Sequence, residues 1–124
     1  MTEIDHRIIK FINKHHVLTL ATSVENQPYC SNCFYVYDLE TNAFVFTSSD
    51  DTKHVADVLQ NARVAASVVL ETTMVGKIRG LQITGSMLRP EDALHKRVKK
   101  LYLNMGEKIV FTLMVLVLEI CIKL

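Results

Sequence analysis

The sequence predicts a mainly β domain with flanking helices, and three observations carry that expectation. Six stretches alternate apolar and polar residues or are rich in β-branched and aromatic ones, turn chemistry separates them, and only three stretches have helical periodicity. At 124 residues the chain suits one domain with one core, and a domain of this size buries roughly two-thirds of the surface its unfolded chain exposes. Hydrophobic residues at 49% and charged ones at 22% are ordinary globular values, which sets aside a disordered or fibrous chain.

Thr2 to Asn13 reads as a helix, because Ile4, Ile8, Phe11 and Ile12 share one face while Glu3, His6 and Lys10 stay off it; Thr2 and Asp5 resemble a capping box. His15 and His16 end it, as cations near the negative end of the dipole. Val17 to Ser23 alternates as a strand, Glu25 to Pro28 supplies a turn, and Tyr29 to Tyr37 forms a second strand. Asp38 to Asn42 turns the chain into a third, Ala43 to Ser48. A helix follows from about Thr52 to Gln60, striped by Val55, Val58 and Leu59, and Arg63 to Leu70 is a fourth strand. Lys77 to Leu88 is a fifth, with Gly80 and Gly85 marking bulges or close backbone approach. Pro90 opens an amphipathic helix striped by Leu94, Val98, Leu101, Tyr102 and Met105, which Gly106 stops.

The segment 109–124 is atypical. Only Ile109 to Leu118 is free of charge, about half of the ~20 residues a membrane helix needs. A buried strand is therefore expected in preference to a membrane or interface segment, its apolar residues pairing across a dimer or making an aggregation liability.

A net charge of +1 lacks the cationic excess that drives nucleic-acid binding. His95 to Lys100 is the one dense basic run, and on an amphipathic helix it reads as a solvated face. The start, MTEIDHRIIK, has no secretory pattern, so a cytoplasmic protein with reduced thiols is expected. The three cysteines, Cys30, Cys33 and Cys121, suit neither a disulfide framework nor a complete zinc site. Cys30 and Cys33, three apart on a strand, should face opposite sides.

Ala43 to Leu59, AFVFTSSDDTKHVADVL, is the stretch with the most chemistry. A strand feeding a helix N-terminus presents free N–H groups and a positive dipole end, so Thr47, Ser48, Ser49, Thr52 and Lys53 could together hold a phosphate. The same residues could equally serve only to cap the helix.

The element order, from HHVLTLATSVENQPYCSNCFYVYD through AFVFTSSDDTKHVADVLQNARVAASV to IRGLQITGSM, resembles the pyridoxamine 5'-phosphate oxidase-like superfamily of FMN-binding split barrels, and within it the YhbP-like branch. The resemblance covers roughly Ile4 to Met105. It implies a six-stranded antiparallel split β-barrel over 1–124, a homodimer, and FMN in a groove at the dimer interface. Thr47-Ser48 stands where the oxidases end their third strand with Tyr-Thr, and Thr52-Lys53-His54 where they open a helix with Ser-Arg-Lys. The resemblance thus implies phosphate binding by Thr47, Ser48, Thr52 and Lys53, ring contacts from Asn32, Cys33 and Phe34, and an Arg79 that either crosses the dimer interface to the phosphate or ring edge or is an ordinary surface Arg.

The sequence also departs from the oxidases. Asn32 and Tyr37 replace an Arg and a Lys on the second strand, Gly80 replaces a Gln, and the carboxy-terminal Arg-and-His substrate signature is absent. Vitamin B6 oxidation is therefore not expected. The implied function is a small FMN-dependent oxidoreductase acting on a small molecule, without a membrane or nucleic-acid partner. The alternative is a haem-binding barrel, with His15, His16, His54 or His95 as axial ligand, or a cofactor-free dimerisation module.

Overall fold

The computed structural model describes residues 4–48, 51–88 and 112–122. The predicted helix from Pro90 to Met105, and Ser49, lie outside them. The chain opens with α1 (His6–Lys14). Asp5, rather than Thr2, is its N-cap: the carboxylate accepts the Arg7 backbone N–H at 2.8 Å, satisfying one of the donors a helix start leaves open. Ile12 is fully buried, and Ile4, Ile8 and Phe11 pack against the same core.

Strands β1 (Val17–Val24) and β2 (Gln27–Phe34) pair antiparallel from Val17↔Phe34 to Val24↔Gln27. Only Glu25 and Asn26 separate them, both at positive φ (51° and 63°), the geometry of a two-residue hairpin whose twist matches its strands. The single second strand expected from Tyr29 to Tyr37 is broken at Tyr35. β2 ends at Phe34, and β3 (Val36–Asp38) turns to pair with β4 (Ala43–Ser48) in the register Val36↔Val45. Tyr35 fixes the corner. Its N–H donates to the His16 carbonyl at 2.8 Å, its hydroxyl donates to the Ile12 carbonyl at 2.7 Å, and its ring meets Phe44 edge-on at 5.0 Å.

After α2 (Lys53–Gln60) come β5 (Arg63–Leu70), a 3₁₀ turn at Val75–Lys77, β6 (Arg79–Leu88) and β7 (Thr112–Ile122). All pairings are antiparallel, in the order β2-β1-β5-β6-β7-β4-β3. Because β2 and β3 are halves of one bent strand, the two ends of this sheet are covalently joined at Tyr35. The result is the expected six-stranded barrel, its second strand shared between both edges. β7 is hydrogen-bonded to β6 on one side and β4 on the other, so the apolar tail pairs within the chain rather than across a dimer.

Alternation sets the two faces of each strand. Leu18, Leu20, Val64, Ala66, Val68, Leu81 and Ile83 point inward to meet Phe44 and Phe46. The register of β6 on β7 shifts between Thr84 and Gly85, where a bulge was expected. Gly80 has a different status: a Cβ there would meet its nearest atoms at 3.5 Å, ordinary contact, so no close approach requires glycine.

Tyr35→Phe tests the corner. The hydroxyl donates to the carbonyl of Ile12 in α1, and leaving that acceptor unmatched costs about 1–3 kcal/mol. The urea midpoint should fall accordingly, with no change in the dependence on denaturant; an unchanged midpoint would show that the corner does not rest on this bond.

Candidate functional site

The polar corner between β4 and α2 is built around a carboxylate. β4 ends at Ser48, which is buried, and the chain re-enters at Thr52, the N-cap position of α2, whose hydroxyl makes no capping bond to the helix. One turn into α2 the sequence needs an apolar face, and Val55 and Val58 supply it; Asp57, about 100° round the helix from Val58, is buried as well, at only 4% exposure. A buried carboxylate is costly unless paired and hydrogen-bonded, and Asp57 is both. Lys53 Nζ donates to Oδ1 at 2.9 Å and to Oδ2 at 3.1 Å, and Thr22 Oγ1 donates to Oδ2 at 2.8 Å. The hydrogen bond from Lys53, then that from Thr22, hold this carboxyl below the usual carboxylate range.

Lys53 is stretched between two neighbours. Its ammonium lies 5.0 Å from the Tyr29 ring centroid, a cation–π distance, and its side chain stays 49% exposed. An ammonium has three donors, and the two contacts to Asp57 leave one direction open to solvent. Beside it, His54 Nε2 and Ser48 Oγ are hydrogen-bonded at 2.7 Å, the donor set by the imidazole tautomer. Burial pushes the His54 pKa down, with Asp57 pulling it the other way. The ring is therefore neutral at pH 7, and the corner offers a hydroxyl, a half-exposed ammonium and a helix N-terminus.

The structure brings Ser48, Thr52 and Lys53 together and separates the other expected site residues from them. Thr47 is in the ladder opposite Leu113. Asn32 and Phe34 are exposed on β2; the Asn32 Oδ1 accepts from Thr19 Oγ1 at 2.8 Å, and Phe34 stacks on His16 with ring planes 10° apart. Cys33 faces the core at 6% exposure, with its thiol pushed up to about 11 by burial, so its side chain does not reach a ligand outside the barrel. Cys30 is exposed, as the opposite-face expectation required. Arg79 opens β6 opposite Leu70. It lies toward the α1 end of the barrel, whereas α2 attaches near Thr22 and Ser23 through Asp57 and Asn61. Along β1 those ends are five residues apart, roughly 17 Å at strand rise.

Two residues of this corner went unnoticed in the sequence. The Lys53–Asp57 spacing of i, i+4 was a readable signal for an ion pair. Thr22 gave none, because it meets Asp57 across 35 residues of chain.

Antiparallel closure through a bent strand, with helices at both ends, defines the split-barrel class. The family described as pyridoxamine 5'-phosphate oxidase matches residues 4–112, and the chain belongs to that family. It is 35% identical over 95 residues to a UPF0306 protein of Klebsiella pneumoniae, a match covering 77% of this chain and 65% of that protein. It is 32% identical over 95 residues to the UPF0306 protein YhbP of Escherichia fergusonii, at 77% and 65% coverage. The chain thus spans just under two-thirds of these relatives' length. Among solved structures it is similar to HutZ, the haem storage protein of Vibrio cholerae (TM-score 0.76, 15% identity, 98% and 95% coverage). It is also similar to an FAD-binding protein of Mesorhizobium loti (TM-score 0.71, 16% identity, 95% and 92% coverage). Both likenesses are of fold. Among the described residues no helix is long and apolar enough to cross a membrane.

Two outcomes check the corner. Thr22→Val removes the second donor to a buried carboxylate and should destabilise the fold by about 1–3 kcal/mol in urea titration; a neutral effect would mean that Lys53 alone satisfies Asp57. The pH profile has a definite sign. His54 and His15 both have pKa values lowered from 6.5, chiefly by burial, so below that value the unfolded chain binds more protons. Stability should hold above about pH 7 and fall as pH drops through 6.5 toward the lower folded values. His54→Asn should flatten part of that slope, and a slope unchanged by it would remove His54 from the account.

Proposed function

We propose that this protein is a homodimeric flavin-binding protein, with FMN as its cofactor, and a small oxidoreductase. The observation that carries the reading is the β4–α2 corner: Ser48, Thr52 and a half-exposed Lys53 gather at a helix N-terminus in a chain of the pyridoxamine 5'-phosphate oxidase family. This donor set suits a phosphate. A dianion is met by a hydroxyl, backbone N–H groups and a Lys point charge, and Asp57 orients the ammonium without using all its donors. When bound, the flavin supplies hydride chemistry, and the protein supplies placement and electrostatics.

The remaining residues have supporting parts. Asn32 and Phe34, exposed on β2, are available to the ring, with Cys33 contributing only backbone. Half-buried small residues on the outward face of β1, β5 and β6, namely Ala21, Ala65, Ser67, Gly80 and Thr84, let a second copy approach closely. Arg79 does not reach the corner of its own chain. That two FAD- and haem-binding proteins share the fold supports a cofactor in this scaffold, although fold alone does not choose between them.

The test is an absorption spectrum followed by FMN titration. Flavin bands are expected. Lys53→Ala should weaken FMN binding by about 1–3 kcal/mol, the range for a charge-assisted hydrogen bond, while Asp57→Asn, which removes a competing negative charge, should bind at least as tightly as wild type. A Soret band in place of flavin bands would transfer the reading to haem, and a featureless spectrum that FMN does not change would leave a dimerisation module.

A further inference from the structure

A cleft of about 700 Å³ lies between α1 and the Leu70–Arg79 edge of the barrel. Its volume is that of a small-molecule site, for which roughly 300–1,000 Å³ is typical. The floor is apolar, formed by Ile8, Phe11 and Leu70, and Lys10, Lys14 and Arg79 stand around it. Among the described residues none of these three cations has an ion-pair partner. Arg7, also on the rim, is committed: its guanidinium donates to both Asp5 carboxylate oxygens, at 3.3 and 3.0 Å. The cleft is therefore an apolar slot with three positive charges around it that no described acid pairs.

A second feature points the same way. His15 lines the cleft, its ring 4.4 Å from that of Phe11. An apolar slot, an aromatic wall and a cationic rim together describe the complement of one kind of molecule.

We propose that this cleft binds a planar aromatic acid, its ring system between Phe11 and Leu70 and its carboxylate or phosphate against Lys10, Lys14 and Arg79. The ligand supplies negative charge opposite the cationic rim. The site is separate from the β4–α2 corner, which lies beyond the other end of β1, and it does not depend on the flavin reading.

The experiment uses 2-naphthoate and 2-naphthyl phosphate as probes on the full chain, followed by probe fluorescence anisotropy. The protein has no Trp, so the naphthalene signal is uncluttered. Saturable binding of at least one acid is expected, with the preferred one fixing the head group, and neutral 2-naphthol should bind at least 10-fold more weakly. Lys10→Glu with Lys14→Glu changes two exposed side chains, so folding, checked by circular dichroism, should persist while affinity falls at least 10-fold. His15 ring resonances should shift on titration, and Lys53→Ala should leave affinity unchanged. No saturable binding, equal affinity in the double variant, or competitive displacement by FMN would each overturn the proposal; the last would do so without touching the case for a flavin.

Discussion

The bend at Tyr35 is the constraint on which the rest of the structure depends. One strand must serve both edges of the sheet, so between Phe34 and Val36 the backbone has to leave the ladder with β1 and enter the ladder with β4. A backbone that leaves a ladder loses partners for its polar groups, and buried ones must find others. Tyr35 meets that demand with its N–H to His16 and its hydroxyl to Ile12, tying the corner to the helix that covers the same end of the barrel. The bend joins the two ends of the sheet through one strand, and the sheet gives the apolar β7 two partners within the molecule.

Closure also decides where chemistry can sit. With the interior filled by Phe44, Phe46 and the aliphatic residues facing them, ligands are confined to the outer surface and to the ends, where α1 and α2 attach. The two ends differ electrostatically. At α2, Asp57 is buried and holds Lys53, so the positive charge offered there is one oriented ammonium backed by a carboxylate. At α1, the carboxylate of Asp5 is spent on Arg7, and among the described residues Lys10, Lys14 and Arg79 have no ion-pair partner. One end thus has few charges held in fixed geometry, and the other has more charge in a roomier apolar setting.

Much of the fold was legible in the sequence because strand alternation and turn residues are local. Val17 to Val24, Ala43 to Ser48, Arg63 to Leu70 and both described helices stand close to where periodicity puts them. The break at Tyr35 was not, because Tyr29 to Tyr37 contains no Gly or Pro to mark it and only tertiary pairing divides the stretch. The first turn of α1 was misplaced for a related reason: Thr2 and Asp5 both suit a cap, and the observed cap is the one whose side chain reaches the Arg7 N–H. At the site, hydroxyls and a Lys before a helix were readable, but the burial of Asp57 follows from the α2 face that packs inward, and its Thr22 donor from the barrel that brings β1 beneath it. The separation of Arg79 from that corner likewise follows from strand register, which a sequence motif does not contain.

The central claim is that the β4–α2 corner recognises a phosphate, with Lys53 as its oriented cation. The most direct test compares FMN with riboflavin, which has the same ring and ribityl chain but no phosphate, by quenching of flavin fluorescence on the same protein. The account requires FMN to bind at least about 10-fold more tightly, equivalent to about 1.4 kcal/mol, with the preference lost in Lys53→Ala. Equal affinities for the two flavins would contradict it.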